Sequence, residues 1–172
     1  MTVLACDPGY EQSALVMWDG TKIGSHRIVN NEALMPELRW LGERKHLGIT
    51  FVIEQIESMG MAVGKTTFET VYWSGCFAEA MYPNPVARVT RRAVKLHICG
   101  QSRAKDGEIR QAIIDRFGPS KEQAIGKKAS KGPLYGIASH EWAALAVALT
   151  YYDLHADEPM GELVRPGVHG EF

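Results

Sequence analysis

The opening run Val3-Leu4-Ala5-Cys6 is apolar at every position and drives straight into Asp7, Pro8 and Gly9. A strand with one wetted face alternates polar and apolar residues, whereas a strand buried on both faces reads as a short continuous apolar run. The Pro-Gly pair closes this run as a turn. Residues 3–6 are therefore expected inside a sheet covered on both sides, with Asp7 at the strand's end. Aspartate is common at the start of such a turn. A carboxylate at the mouth of a buried sheet also needs a partner or a metal to offset its desolvation, so both roles stay open on this stretch alone.

Residues 12–18 carry β-type side chains and end at Asp19-Gly20, the strongest short hairpin signal. Residues 22–29 are expected to return antiparallel, completing three sequential strands. Asn30-Asn31 then caps a helix with Leu34, Leu38 and Leu41 at helical spacing, running to near Gly48. Residues 49–56, Ile-Thr-Phe-Val-Ile-Glu-Gln-Ile, form the next strand, parallel to the first after the helical crossover. Glu54 interrupts that apolar run, and glutamate is rarely buried unless paired. A parallel neighbour of the first strand brings it near Asp7; the plainer alternative is a strand-end pair with a Lys or Arg. Glu57 points to the opposite face of a continuing strand and reads as solvated or structural.

Residues 58–65 form a glycine-containing loop entering a helix over 66–81. Gly64-Lys65-Thr66 fails as a phosphate loop because no glycine stands five residues before Gly64, where the first is required. Phe68, Val71, Tyr72, Gly75 and Cys76 share one face of that helix, expected in the core, with a dimer surface as the alternative. Residues 86–89 make a fifth strand, and Thr90 caps a helix opening with Arg91, Arg92 and Lys95. A polar turn over 100–106 leads to a helix over 106–117 that buries Ile109, Ala112, Ile113 and Phe117. Residues 121–137 read as a basic, glycine-punctuated loop carrying Lys121, Lys127, Lys128 and Lys131. Ser139 is the expected cap of a last helix that begins His140-Glu141. Residues 142–149 are apolar on every side, so that helix is expected to be covered on both faces. Residues 156–172 read as a tail after a domain spanning 1–155.

Composition narrows the function. Lys and Arg number 19 against 20 Asp and Glu, a net charge of -1, so bulk charge does not mark a nucleic-acid binder. Any such surface must be local, and Arg91, Arg92, Lys95, Arg103 and Lys105 form one such cluster. Lys65, Lys127, Lys128 and Lys131 are the other candidate phosphate contacts. The three cysteines, Cys6, Cys76 and Cys99, are scattered and lack a CxxC pair, which argues against a disulfide framework or zinc knuckle and for a reducing cytoplasm. With no leader pattern and no apolar stretch long enough for a bilayer, a cytoplasmic protein without a membrane partner is expected.

Taken together, Asp-Pro-Gly closing the first strand, the meander, Val-Ile-Glu-Gln in the fourth strand and a last helix beginning His-Glu-Trp-Ala-Ala-Leu-Ala-Val-Ala carry a resemblance. The chain resembles the RuvC-like Holliday junction resolvases over about residues 1–155. The loop Gly60-Met-Ala-Val-Gly64 and the lead-in Gly132-Pro-Leu-Tyr-Gly136 are similar to the phage-encoded branch. The resemblance implies an α/β RNase H-like fold: a five-stranded mixed sheet, part antiparallel meander and part parallel, flanked by helices. It implies a homodimer that resolves branched DNA, four-way junctions above all, by metal-dependent phosphodiester hydrolysis in the cytoplasm, a host's if phage-encoded. It maps Asp7 and Glu54 onto the family's strand carboxylates and His140 onto the first ligand of the last helix. Bacterial members carry a second acid three residues later, where this chain has Ala143. Either Glu141 reaches the metal instead or three protein ligands suffice.

Oxygen-rich ligands of this kind suit Mg²⁺ or Mn²⁺, and two such ions about 4 Å apart can clamp the attacking and leaving oxygens of an in-line displacement. Asp7 would bridge the ions, Glu54 would hold one and orient the water, and His140 would ligate the second or support the leaving group. An RNase H-type or ribosomal-RNA-processing nuclease of the same fold is the enzymatic alternative. A branched-DNA-binding relative with weakened chemistry is the alternative that Ala143 suggests.

Overall fold

The computed structural model describes residues 1–57, 60 and 62–156; residues 157–172 of the expected 156–172 tail and Ser58, Met59 and Met61 of the glycine loop lie outside them. Strands β1 (Thr2–Asp7), β2 (Gln12–Trp18) and β3 (Ile23–Asn30) form the expected antiparallel meander. β4 (Ile49–Gln55) and β5 (Val86–Thr90) add parallel to it, giving one five-stranded sheet in the order β3-β2-β1-β4-β5. β1 is thus central, which is why its run is apolar throughout. Val3, Ala5, Val16 and Val52 bury against a final helix α6 (Glu141–His155), while Leu4, Cys6, Leu15, Phe51 and Ile53 bury against α1 (Asn31–Gly42) and α2 (Lys65–Met81). Helices α3 (Arg91–Cys99) and α4 (Asp106–Phe117) complete the α6 side.

Local chemistry accounts for most element ends. Asp19 Oδ1 accepts the N–H groups of Thr21 and Lys22, both at 2.8 Å, and tightens the first hairpin. Asn30 caps α1 by accepting from Glu32 and Ala33, and Thr90 caps α3 by accepting from Ala93. The first helix stops at Gly42, short of the expected Gly48, and a 3₁₀ turn (Lys45–Leu47) covers the remainder. Asn84 explains the early stop. Its amide donates to Leu41 O at 2.9 Å and Gly42 O at 3.1 Å, satisfying terminal carbonyls that a longer helix would bond itself.

Two expectations are corrected outright. The segment read as a loop over 121–137 contains a short helix α5 (Lys121–Ala124) and a miniature hairpin of β6 (Gly126–Lys127) and β7 (Ser130–Lys131). Ala124 and Leu134 anchor it in the core, a long-range attachment that glycine and lysine content conceals. The α2 face expected in the core instead faces outward, with Phe68 66%, Val71 50% and Tyr72 63% exposed. Of α2 only Thr70, Phe77, Ala80 and Met81 are fully buried, because the sheet and α1 cover only the opposite face. No helix among the described residues is long and apolar enough to cross a membrane.

Candidate active site

Side-chain alternation delivers the two strand carboxylates to one place. Val3 and Ala5 of β1 and Val52 of β4 face α6, so Asp7 and Glu54, each two residues farther along, leave the sheet on that side. The parallel register pairs Cys6 with Ile53, and its next step sets Asp7 beside Glu54. Both lie at the carboxyl ends of parallel strands, where open α/β sheets place their ligand crevices. The turn beyond Asp7 is pinned. Asn31 Nδ2 donates to Gly9 O at 2.9 Å, and the Ser13 hydroxyl donates to Asn31 Oδ1 at 2.7 Å. Gly9 is required there, since a Cβ would lie 2.2 Å from Gln12 O.

The start of α6 closes over these carboxylates. His140 Nδ1 lies 3.1 Å from Asp7 Oδ2, and the imidazole is largely exposed between two grooves. One, of about 330 Å³, is lined by Asp7, Tyr10, Gln12, Ile28 and Ser139. The other, of about 190 Å³, holds Arg91, Asp106, Arg110 and Ala143. Ala143 faces it with a methyl group where the bacterial pattern has an acid. Ser139 is not the side-chain cap expected of it: its φ is +46°, His140 occupies the cap position, and no side chain of either caps the helix.

Charge in this corner is concentrated and dry. Burial, reinforced by the neighbouring Asp7 charge and opposed by Arg91, pushes the Glu54 carboxyl up to about 7. Burial also raises Asp7, against the opposing pull of His140 and Arg91. Two desolvated carboxylates side by side resist ionising together, and cations compensate them. Arg91, first residue of α3, sets Nη1 3.5 Å from Glu54 Oε1 while Nη2 donates to Asp106. Arg91 Nη1 is buried and makes no hydrogen bond, so its hold on Glu54 is that of charge alone.

Among the described residues no three His, Cys, Asp or Glu side chains are set to cage a metal ion by themselves. Asp7 and Glu54 lie side by side with both carboxyls raised by burial, and His140 turns its Nδ1 onto Asp7. The donor chemistry nevertheless fits a hard divalent cation. Two carboxylates and an imidazole converge, and a cation would offset the burial and the mutual repulsion that raise the Glu54 carboxyl.

The other sequence-predicted residues divide. Glu141 turns away from the carboxylates: its Oε1 lies 3.0 Å from His26 Nδ1 and its Oε2 accepts the Ala138 N–H at 2.7 Å. Arg91 belongs with the acids. Arg92, Lys95 and Arg103 line a groove of about 650 Å³ that begins at Glu54. Lys105 precedes α4 and is exposed, Lys65 opens α2, and Lys127, Lys128 and Lys131 stand on the β6-β7 hairpin. The sequence left two neighbours out of the site and gave a third a different role. Asp106 looked only like a helix start, His26 sits in a largely exposed strand with no functional signal, and Arg91 was expected as a phosphate contact rather than as the partner of Glu54.

A five-stranded mixed sheet in this order, with helices on both faces and the crevice at the ends of β1 and β4, defines the RNase H-like fold class. Within it, the chain is similar to RuvC of Thermus thermophilus in complex with a Holliday junction substrate. That match has TM-score 0.64 and 17% identity, covering 87% of this chain and 92% of the other. The Thermus thermophilus RuvC structure itself matches with TM-score 0.61 and 17% identity over 91% and 97% of the respective chains. No protein-family model matches the sequence, and no curated protein matches it.

Proposed function

We propose that the protein is a metal-dependent endonuclease that resolves four-way and other branched DNA by phosphodiester hydrolysis. The observation that carries this is the convergence of Asp7, Glu54 and His140 at the parallel-strand ends of a RuvC-like fold. Asp7 and Glu54 would hold Mg²⁺ or Mn²⁺, two ions in the two-metal scheme. The ions would supply an ionised water and stabilisation of phosphate charge. His140, exposed beside Asp7, would flank the second ion or give a proton to the leaving oxygen. Arg91, set between Glu54 and Asp106, would hold Glu54 in place and offset the charge gathered there. Arg92, Lys95, Arg103 and Lys105 on one flank and Lys65, Lys127, Lys128 and Lys131 elsewhere would bind backbone phosphates.

A resolvase cuts two strands symmetrically, and the exposed Phe68, Val71 and Tyr72 face of α2 supports a homodimer formed there. The loop and lead-in segments around Gly64 and Gly136 favour the phage-encoded branch, acting in a host cytoplasm. Residues 1–155 would be the nuclease domain. The test is nicking of a synthetic four-way junction with Mg²⁺ or Mn²⁺, set beside a linear duplex and an RNA/DNA hybrid. Symmetric, metal-dependent cuts in the junction alone are expected. Preference for the hybrid would move the assignment to an RNase H-type enzyme, and binding without cutting would leave a DNA-architectural protein.

A further inference from the structure

The segment that presents His140 is held by a single buried carboxylate. Glu141 is 6% exposed, although it opens a helix at the rim of the site. Its Oε2 accepts the Ala138 N–H, and its own N–H donates to Ala138 O at 3.0 Å, so side chain and backbone clasp the same residue in a closed ring. Its Oε1 takes a hydrogen bond from His26 Nδ1 on β3; the carboxylate only accepts, so the imidazole donates. The His26 ring in turn lies against Gly136, where an added Cβ would come within 3.2 Å of it and φ is +91°. Between the two clasped residues, Ser139 is held at φ +46°, an uncommon conformation for a residue with a side chain. His140 follows immediately and reaches Asp7.

We propose that Glu141 and His26 form a positioning pair that fixes the 136–140 turn and thereby aims His140 at Asp7, Glu141 serving the site through its two hydrogen bonds and not as a metal ligand. The strained Ser139 conformation makes the pair necessary. Strained backbone persists only where its surroundings over-determine it. Glu141 ties three separate parts of the chain together, β3 through His26, the turn through Ala138, and α6 through its own backbone. Losing either hydrogen bond lets Ser139 relax to negative φ, and the next residue to move is His140. The proposal rests on the nuclease reading for its consequence, but its geometry is independent of it.

The test compares Glu141→Gln, Glu141→Ala and His26→Ala with Asp7→Asn as reference. Mn²⁺ affinity without DNA is measured by calorimetry, and kcat and KM for junction cleavage well below each variant's melting temperature. A glutamine oxygen still accepts from Ala138, and its amide donates to the other tautomer of His26, so Glu141→Gln should stay within about 5-fold of wild type in both. Glu141→Ala and His26→Ala should each lower kcat and Mn²⁺ affinity by about 10- to 100-fold, as for groups that orient a ligand from behind, with KM little changed. His26 is partly exposed on a sheet face, so His26→Ala keeps the test readable should Glu141→Ala fail to fold. Glu141→Gln as inactive as Asp7→Asn, or wild-type kcat and affinity in His26→Ala, would overturn the proposal. Unimpaired cleavage by Asp7→Asn would instead overturn the assignment of the active site to Asp7, and absence of cleavage by the wild type the nuclease reading, while the calorimetric arm would still judge the pair.

Discussion

Glu54→Gln should stabilise the protein at alkaline pH in the absence of divalent ions, although it removes half of an ion pair. In the folded state the Glu54 carboxyl is raised by burial and by Asp7 from the 4.5 of an ordinary glutamate to about 7. A raised carboxyl binds a proton on folding, so its contribution is fully present below pH 4.5 and is lost as pH rises through about 7. At 1.36 kcal/mol for each pH unit, that gap amounts to about 3 kcal/mol at pH 8. The neutral amide escapes this cost but gives up the 3.5 Å approach of Arg91, whose other nitrogen stays on Asp106. A net gain of about 2 kcal/mol is expected, or roughly 4–8 °C in melting temperature for a chain of this size. Thermal melts of both proteins in chelator from pH 5 to 8 check this. The variant's advantage should be slight at pH 5 and full at pH 8. Mn²⁺ should then stabilise the wild type at pH 8 and leave the variant nearly unmoved. An advantage that is absent, or that shrinks as pH rises, would refute the argument that the two carboxylates store repulsion for a cation.

Asp7→Asn should abolish junction cleavage and leave junction binding within a few-fold, because it removes metal-holding charge and none of the basic surface; gel-shift and nicking assays on one preparation decide it. Replacing Lys127, Lys128 and Lys131 together by Ala should reduce the slope of log affinity against log salt by about 1 for each phosphate no longer neutralised, and an unchanged slope would remove the hairpin from the DNA surface. Phe68→Asp with Tyr72→Asp should convert a dimer to a monomer in sedimentation, with the melting temperature little altered, since neither side chain is in the core. Asp153 is drawn down despite its burial, because Arg116 donates to it twice and His97 Nε2 lies 2.8 Å away. A lowered carboxyl adds stability above its unfolded value that is lost as pH falls through the folded one, so Arg116→Ala should narrow its stability deficit as pH drops below about 4. A deficit constant from pH 7 to 3 would show that the ion pair is not its source.

The covered sheet was legible because its cause is local to the strands. An apolar run that cannot alternate must be buried twice, and residues 3–6 and 49–53 are such runs; alternation along them then puts Asp7 and Glu54 on a common face. The hairpin at Asp19-Gly20 and the caps at Asn30 and Thr90 were equally readable, because each is satisfied within a few residues. The tertiary structure decided what depends on partners distant in sequence. Asn84 ends α1 from more than forty residues away, and Ala124 and Leu134 order a segment whose glycines and lysines suggest a loop. Phe68, Val71 and Tyr72 have the spacing of a core face, and spacing alone cannot say whether anything in this chain is there to cover it. The carboxylates could be found in the sequence. Which groups compensate them could not, since Arg91 reaches Glu54 only where α3 begins at the edge of β5. Glu141 shows the limit most plainly. Its position one residue after His140 is compatible with a metal ligand or a helix-start charge, and only the fold, by setting β3 beside the start of α6, turns it toward His26.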